Sequence, residues 1–413
     1  MKKIELLAPA GDAEKLKVAI DYGADAVYFG GAGFSLRASA GNFTVGEMKE
    51  GTRYAHDHGA RVYMTINIFA HNEDIAELPA FLDMIADIDI DAFLVSDPGV
   101  MMILKEKRPD AEIHLSTQAN TTNYLTAKYW YGQGVKRIVA AREMSLKELS
   151  EFKEKLPEDM ELEVFVHGAM CMSYSGRCLL SNYMTGRDAN RGMCAHPCRY
   201  HYALVEEKRP GEYFPIEEDN RGSYILNSKD LCMIEHLPDI IELGIASAKI
   251  EGRMKSVFYL ANVVRVYRAA IDAYYRDPEH YRFKPEWLTE LSKASHRHFS
   301  TGFFYGKPGE EAQNYESSAY IREYAFIGVV RSYDPETRVA VIEQRNNFRR
   351  GDVIEIFGPG SADFFEQTVD DLKDDEGNEI DVAPHPQQIV SMPVKYVVAP
   401  GYMLRRRQQD QGR

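Results

Sequence analysis

Between Ile4 and Leu156 the chain repeats one pattern six times: a short apolar run, a polar turn, then an amphipathic stretch of helical period. "IELLAPA" precedes "DAEKLKVAIDYGA", "AVYFGG" precedes "TVGEMKEGTRYAHDHG", and "RVYMTINIF" precedes "AELPAFLDMIADI". "AFLVSD", "EIHLSTQAN" and "RIVAAR" precede "PGVMMILKEKRP", "NYLTAKYWYGQG" and "SLKELSEFKEKL". Two later runs, "LEVFVHG" and "SAKIEG", bring the strand candidates to eight. Strands that alternate with helices in this way are joined by crossovers and lie parallel. Eight such units over roughly 280 residues fit a (β/α)8 TIM-like barrel better than an open doubly wound sheet. The last helix is marked by Val257, Leu260, Val264, Tyr267, Ile271 and Tyr274 at helical spacing.

After about residue 285 the pattern changes. "KPEWLTELSKASHRHF" reads as a short helix and "STGFFYGKPGEEAQNYESS" as a glycine- and serine-rich connector. From Glu323 onward the runs "AFIGVVRSYD", "RVAVIEQRN", "DVIEIFGP" and "QIVSMPV" are separated by turn residues, as in a small antiparallel β-barrel. The expected organisation is a barrel over 1–285 with a cysteine-bearing insertion at 168–245, a helix and linker over 286–320, and a small β-barrel domain over 321–413. Within the insertion, "YHYALVEE" and "GSYILNS" read as a small hairpin.

The formal net charge is -14, from 49 basic and 63 acidic side chains. That balance argues against general coating of nucleic acid, which needs many phosphate contacts, but leaves room for a local basic groove. Glu5 interrupts the apolar run of the N-terminus and no small-residue cleavage site follows, so it does not read as a signal peptide. No segment approaches the roughly 18 apolar residues of a membrane span. The expected location is cytoplasmic, with no membrane partner.

In a barrel of this kind the residues just after each strand line the C-terminal mouth, where the active site sits. Here those positions are polar: Arg37 and Asn42, Asn67, Asp97, Ser116, Gln118 and Asn120, Arg142 and Glu143, His167, and Glu251, Arg253 and Lys255. Any one of them alone is as well read as a helix cap, a turn or a salt bridge. Together they point to a site, and Arg37, Arg142 and Arg253 suit an anionic small molecule, since a guanidinium grips a carboxylate with two hydrogen bonds. Asn42 and Gln118 are placed to orient it. "YFGGAGF" lacks the glycine spacing of dinucleotide folds and reads as a tight strand-to-loop turn.

Four of the five cysteines, Cys171, Cys178, Cys194 and Cys198, crowd just past the seventh strand, separated by six, fifteen and three residues. In a reducing compartment, clustered cysteines point to metal or catalysis more than to disulfides. Structural zinc favours two closely spaced pairs, and only Cys194 and Cys198 form one. The wider spacing suits a bulkier all-thiolate iron-sulfur cluster, with zinc and unligated thiols as the other readings. Cys232 follows an apolar rhythm and reads as core. Neither H-E-x-x-H nor G-x-S-x-G occurs.

"EVFVHGAMCMSYSGRCLLS", with "APAGD", "SLRASAGNF", "STQANTTN", "NSKDLC" and "KIEGRMKS" in order, resembles the collagenase-like peptidase family U32 of unassigned catalytic type. The resemblance covers the barrel and the C-terminal domain. It implies an oxygen-independent hydroxylase with a 4Fe-4S iron-sulfur cluster on Cys171, Cys178, Cys194 and Cys198. Branches of the family are similar to enzymes acting on ubiquinone precursors, ribosomal RNA or the wobble uridine of tRNA, and the RNA-acting branches depend on prephenate, a dicarboxylate. Length and the single C-terminal β-domain look most like the tRNA branch. The family name keeps a peptidase reading open, and a non-catalytic RNA-binding scaffold is a third. For a tRNA partner the basic candidates are Arg177, Arg187, Arg191 and Arg199 around the cysteines, Arg345, Arg349 and Arg350, and Arg405 to Arg407. Their plainer readings are a charged hairpin for "RNNFRR" and a solvated tail for "LRRRQQDQGR". Unpaired anticodon-loop bases cost least to splay into a catalytic mouth.

Overall fold

The computed structural model describes residues 2–31, 34, 43–171, 173, 178–199, 203–204, 214–215, 229–307 and 320–408. They form two compact units, one of residues 1–20, 24–255 and 297–320, the other of residues 21–23, 256–296 and 321–413.

The first unit is a closed parallel barrel. Its strands are β1 (Glu5–Pro9), β2 (Ala26–Gly30), β3 (Arg61–Ile66), β4 (Ala92–Val95), β5 (Ile113–Leu115), β6 (Arg137–Val139), β7 (Glu161–Ala169) and, after an insertion, β11 (Ser247–Ile250). Each pairs in parallel with the next, and β11 pairs with both β7 and β1, which closes the ring. The crossovers are α1 (Ala13–Asp21), α2 (Val45–Asp57), α3 (Asn72–Met84), α4 (Pro98–Lys107), α5 (Tyr124–Gly132) and α6 (Leu146–Glu154). Their starts are written in the sequence: Thr44 with Glu47 and Ser145 with Glu148 form reciprocal capping boxes. Asp97, a candidate for the mouth, instead caps α4, accepting a hydrogen bond from the Val100 amide at 3.0 Å ahead of Pro98.

The insertion carries α7 (Leu180–Thr185), a hairpin of β8 (Ala203–Leu204) and β9 (Phe214–Pro215), β10 (Asp230–Cys232) and α8 (Leu237–Glu242). The hairpin's first strand falls in the expected run, but it pairs with 214–215; the run "GSYILNS" lies outside the described residues. β10 runs antiparallel to β7, with Cys232 opposite His167, and β12 (Phe299–Ser300) extends the sheet beside it. Cys232 is buried, as its apolar rhythm implied.

The barrel interior is charged where branched aliphatic layers are usual. Arg137 donates to Glu5 at 2.6 Å, to Glu161 at 2.7 Å and to Glu163 at 3.2 Å. Tyr63 donates to Glu5 at 2.6 Å, and Lys249 to Glu163 at 2.7 Å. These side chains come from β1, β3, β6, β7 and β11, so the network ties strands across the ring. Buried charge is tolerated here because every member has a partner.

The second unit joins α9 (Val257–Arg276) and α10 (Pro285–Ser292) to a six-stranded antiparallel half-barrel ordered β17-β16-β20-β13-β14-β19. These strands are β13 (Tyr324–Asp334), β14 (Val339–Gln344), β16 (Val353–Phe357), β17 (Phe364–Thr368), β19 (Ile389–Pro393) and β20 (Met403–Arg407). β15 (Phe348–Arg349) and β18 (Val382–Ala383) form a small side ladder. Register shifts along β13 bend the sheet over a core that includes Ile327, Ile342, Phe348, Ile356 and Leu404. "LRRRQQDQGR" is therefore no solvated tail in its first half: Arg405 is fully buried on β20, bonded to Glu355 and Glu290 at 2.7 Å and to Asn262 at 3.1 Å. Arg406 pairs with Asp352. Among the described residues no helix is long and apolar enough to cross a membrane.

Candidate active site at the barrel mouth

Alternation along each strand sends every second side chain into the ring. Tyr28, Thr65, Leu94, Val139, Phe165 and Lys249 are such positions, and they line a cavity of about 80 Å³ with Asn67, Ser116, Thr117, Gln118, Arg142, Glu251 and Arg253 from the strand ends. Six sequence candidates thus meet in one place: Asn67, Ser116, Gln118, Arg142, Glu251 and Arg253. Arg37 and Asn42 lie outside the described residues. His167 is buried and packs its ring 5.6 Å from that of Phe299, away from the lining.

Each cation has a defined seat. The Arg142 guanidinium lies 3.8 Å from the centroid of the Phe165 ring and donates to the carbonyl of Ala169 at 2.8 Å. Arg253 reaches from beyond β11 to donate to Thr65 Oγ1 on β3 at 3.1 Å. The cavity therefore has one cationic pole held by β3 and another stacked on β7. Between them Gln118 sits in a single 3-10 turn capped by Ser116, and Asn67 donates to the Ser116 hydroxyl at 3.0 Å. The Asn67 side-chain oxygen, Oδ1, is buried with no partner, an acceptor left for a ligand donor. Gly31 of the "YFGGAGF" turn is a packing glycine: a Cβ there would meet the Phe81 ring at 2.5 Å.

The cysteine loop begins at this rim. Arg142 bonds the carbonyl two residues before Cys171. Although Cys171 is exposed as a residue, desolvation pushes its thiol pKa up. The Ser173 amide and Arg142 pull it back, and the neighbouring Cys178 and Cys194 push it further. Cys178 and Cys194 thus lie near enough to Cys171 to act on its thiol. Asn190 pins Cys178 by accepting from its amide and donating to its carbonyl, both at 3.1 Å. The His196 amide donates to Cys194 Sγ at 3.4 Å, from a loop that takes left-handed backbone at Gly192 and His196. An amide aimed at sulfur and an all-thiol donor set suit a soft iron-sulfur group. Among the described residues no three His, Cys, Asp or Glu side chains close on a single ion.

Of the basic candidates, Arg187 is exposed beside this loop. Arg177 and the side chains of Arg191 and Arg199 lie outside the described residues. Arg349 is exposed on β15; Arg350 donates to the carbonyl of Asp370 at 3.1 Å and pairs loosely with Glu379 at 3.4 Å. Arg345 is held by Glu343 at 2.8 Å. Reading strand ends alone misses Tyr28, Phe165 and Lys249. The signal that finds Lys249 is parity, since it stands two residues before Glu251 and shares its face.

Residues 11–314 match peptidase family U32, and residues 322–405 match the peptidase family U32 C-terminal domain. Over 405 residues the chain is 45% identical to tRNA hydroxylation protein P1 of Bacillus subtilis (strain 168), covering 98% of this chain and 95% of that one. It is 35% identical over 446 residues to tRNA hydroxylation protein P of Escherichia coli (strain K12), covering 98% and 96%. It is also 33% identical over 414 residues to a collagenase of Porphyromonas gingivalis (strain ATCC BAA-308 / W83), covering 97% of each.

Proposed function

The chain belongs to peptidase family U32, and we propose that it is a cytoplasmic tRNA-modifying enzyme. It carries out oxygen-independent 5-hydroxylation of the wobble uridine, with prephenate as co-substrate and a 4Fe-4S iron-sulfur cluster. The observation that carries this reading is the near end-to-end similarity to proteins named for tRNA hydroxylation.

The geometry supports it in two ways. A cavity with separated cationic poles at Arg142 and Arg253 suits a dicarboxylate, each guanidinium gripping one end. Cys171, Cys178, Cys194 and Cys198, on a loop that starts at the same rim, would hold the cluster, which supplies one-electron redox chemistry when bound. Gln118 and Asn67 orient the ligand through their amides, and Glu251, the carboxylate of the lining, is the group there that takes up or returns a proton. The wobble base reaches the rim by leaving its stack, and the exposed Arg187 and Arg349, with Arg350, meet backbone phosphate.

The collagenase relative favours a peptidase as the second reading. The cavity gives it little chemistry. Its serine, Ser116, accepts a hydrogen bond from Asn67, and among the described residues no histidine lines the cavity to activate it. Anaerobically reconstituted protein, given prephenate, a two-electron acceptor and tRNA lacking the modification, should add one oxygen atom, with water as its source, to the wobble uridine and leave collagen intact. Collagen cleavage with unchanged tRNA would overturn the proposal.

A further inference from the structure

Lys249 stands on β11 in the floor of the cavity, 3% exposed. An ammonium carries three donors. One is spent on Glu163 at 2.7 Å, and no other hydrogen-bond acceptor is within reach among the described residues. The remaining surface of the ammonium faces the Tyr28 ring, 4.4 Å from its centroid, and the Phe165 ring at 5.4 Å. Ring faces attract a cation but do not replace acceptors. A buried charge with unused donors is costly unless something else meets them. Desolvation accordingly lowers the Lys249 pKa, with Glu163 working against it. Glu163 cannot swing away to leave the lysine free, because Arg137 holds its other oxygen at 3.2 Å. The ammonium is thus fixed from below and open towards the cavity. Arg142, stacked on the same Phe165 ring, supplies a second positive charge alongside.

We propose that Lys249 is a substrate-binding residue that takes a carboxylate of the small co-substrate on the cavity floor, with Glu163 as its positioning residue. This rests on the dicarboxylate reading above. It adds a third cation to the two arginines, and it accounts for a lysine placed inside a barrel strand. Arg142 and Arg253 each already spend a donor on the protein, on the Ala169 carbonyl and the Thr65 hydroxyl. Lys249 keeps donors for a ligand as they do, and it offers them from within a barrel strand rather than from beyond its end.

The test is calorimetric titration of prephenate into the cluster-loaded protein and its variants, with tRNA affinity and melting temperature as controls. Lys249→Met should weaken prephenate by about tenfold or more, as expected for one lost charged contact, and Lys249→Arg should recover part of that loss. Glu163→Gln should weaken prephenate severalfold although Glu163 never reaches the ligand. Should Lys249→Met fold poorly with a carboxylate left beneath it, the pair Lys249→Met with Glu163→Gln removes both partners, while Arg137 keeps Glu5 and Glu161. That pair should show the same loss with tRNA affinity unchanged. Folded Lys249→Met or paired variant binding prephenate within twofold of the native protein would overturn the inference and leave the dicarboxylate reading standing. Native protein with no affinity for prephenate would overturn that reading, and this inference with it.

Discussion

Gly168 and Arg142 hold the end of β7 against the site in different ways. Gly168 has φ 113°, and a Cβ there would lie 2.6 Å from the Glu251 carbonyl oxygen. Gly168→Ala therefore meets both backbone strain and a clash with main chain. It should cost on the order of 1–3 kcal/mol, read as a lower melting temperature, and should displace Glu251. Arg142 lies over the Phe165 ring and donates to the Ala169 carbonyl, and a lysine there would lose the planar fork that lets a guanidinium keep both contacts and still grip a carboxylate with two hydrogen bonds. Arg142→Lys should weaken prephenate by about tenfold in the same titration. Among the thiols, Cys194→Ala should abolish iron uptake, and Cys232→Ala, in the core of the barrel sheet, should still take up about four irons per chain on anaerobic reconstitution. Tight stoichiometric zinc with no iron uptake would contradict this. Residues at strand ends, such as Gln118 and Arg253, were legible because the barrel rule assigns those positions to the mouth. Lys249 was not, because a lysine within an apolar run looks like an isolated salt bridge until its parity with Glu251 is counted.

At the scale of elements, Arg137 fastens the lower ends of β1, β6 and β7, and pH reports on it. Burial alone would raise the Glu161 pKa, but Arg137 and Lys2 outweigh it and hold the carboxyl at about 2, against 4.5 ordinarily. The folded pKa lies below the unfolded one, so the stabilisation is complete above pH 4.5 and is lost as pH falls from there towards 2. Its size is on the order of 3 kcal/mol. Urea unfolding between pH 7 and pH 3 should show the larger part of this loss, and Glu161→Gln should flatten that part of the profile. In the second unit Arg405 binds β20 to β16, α9 and α10 together. Arg405→Met should cost on the order of 3 kcal/mol by stranding buried carboxylates, partly cushioned by Lys293, which pairs with Glu290 at 2.7 Å and Glu355 at 3.0 Å. Three arginines in a row near a terminus look like a charged tail, and only long-range partners distinguish a buried strand from one. β10 was illegible for a related reason, since a three-residue strand in a polar insertion leaves no period to detect.

For the whole molecule, the strand–helix alternation made the barrel legible, because a crossover helix is needed between parallel strands. How α9 groups was not legible: its apolar face fits several neighbours equally well, and it clusters with the C-terminal sheet. At a net charge of -14, the proposed hold on tRNA requires local contacts. Exchanging Arg349 and Arg350 for glutamine should weaken tRNA binding and reduce the salt slope by roughly one to two, since each lost phosphate contact lowers it by about 0.7–0.9. The most direct measurement of the central claim is mass spectrometry of tRNA nucleosides from a strain lacking the gene, with native and Cys194→Ala copies restored. Wobble-position 5-hydroxyuridine and nucleosides built on it should vanish on deletion, return with the native copy and stay absent with the variant. Their persistence in a deletion strain without a second copy of this family, or full recovery with Cys194→Ala, would contradict the account.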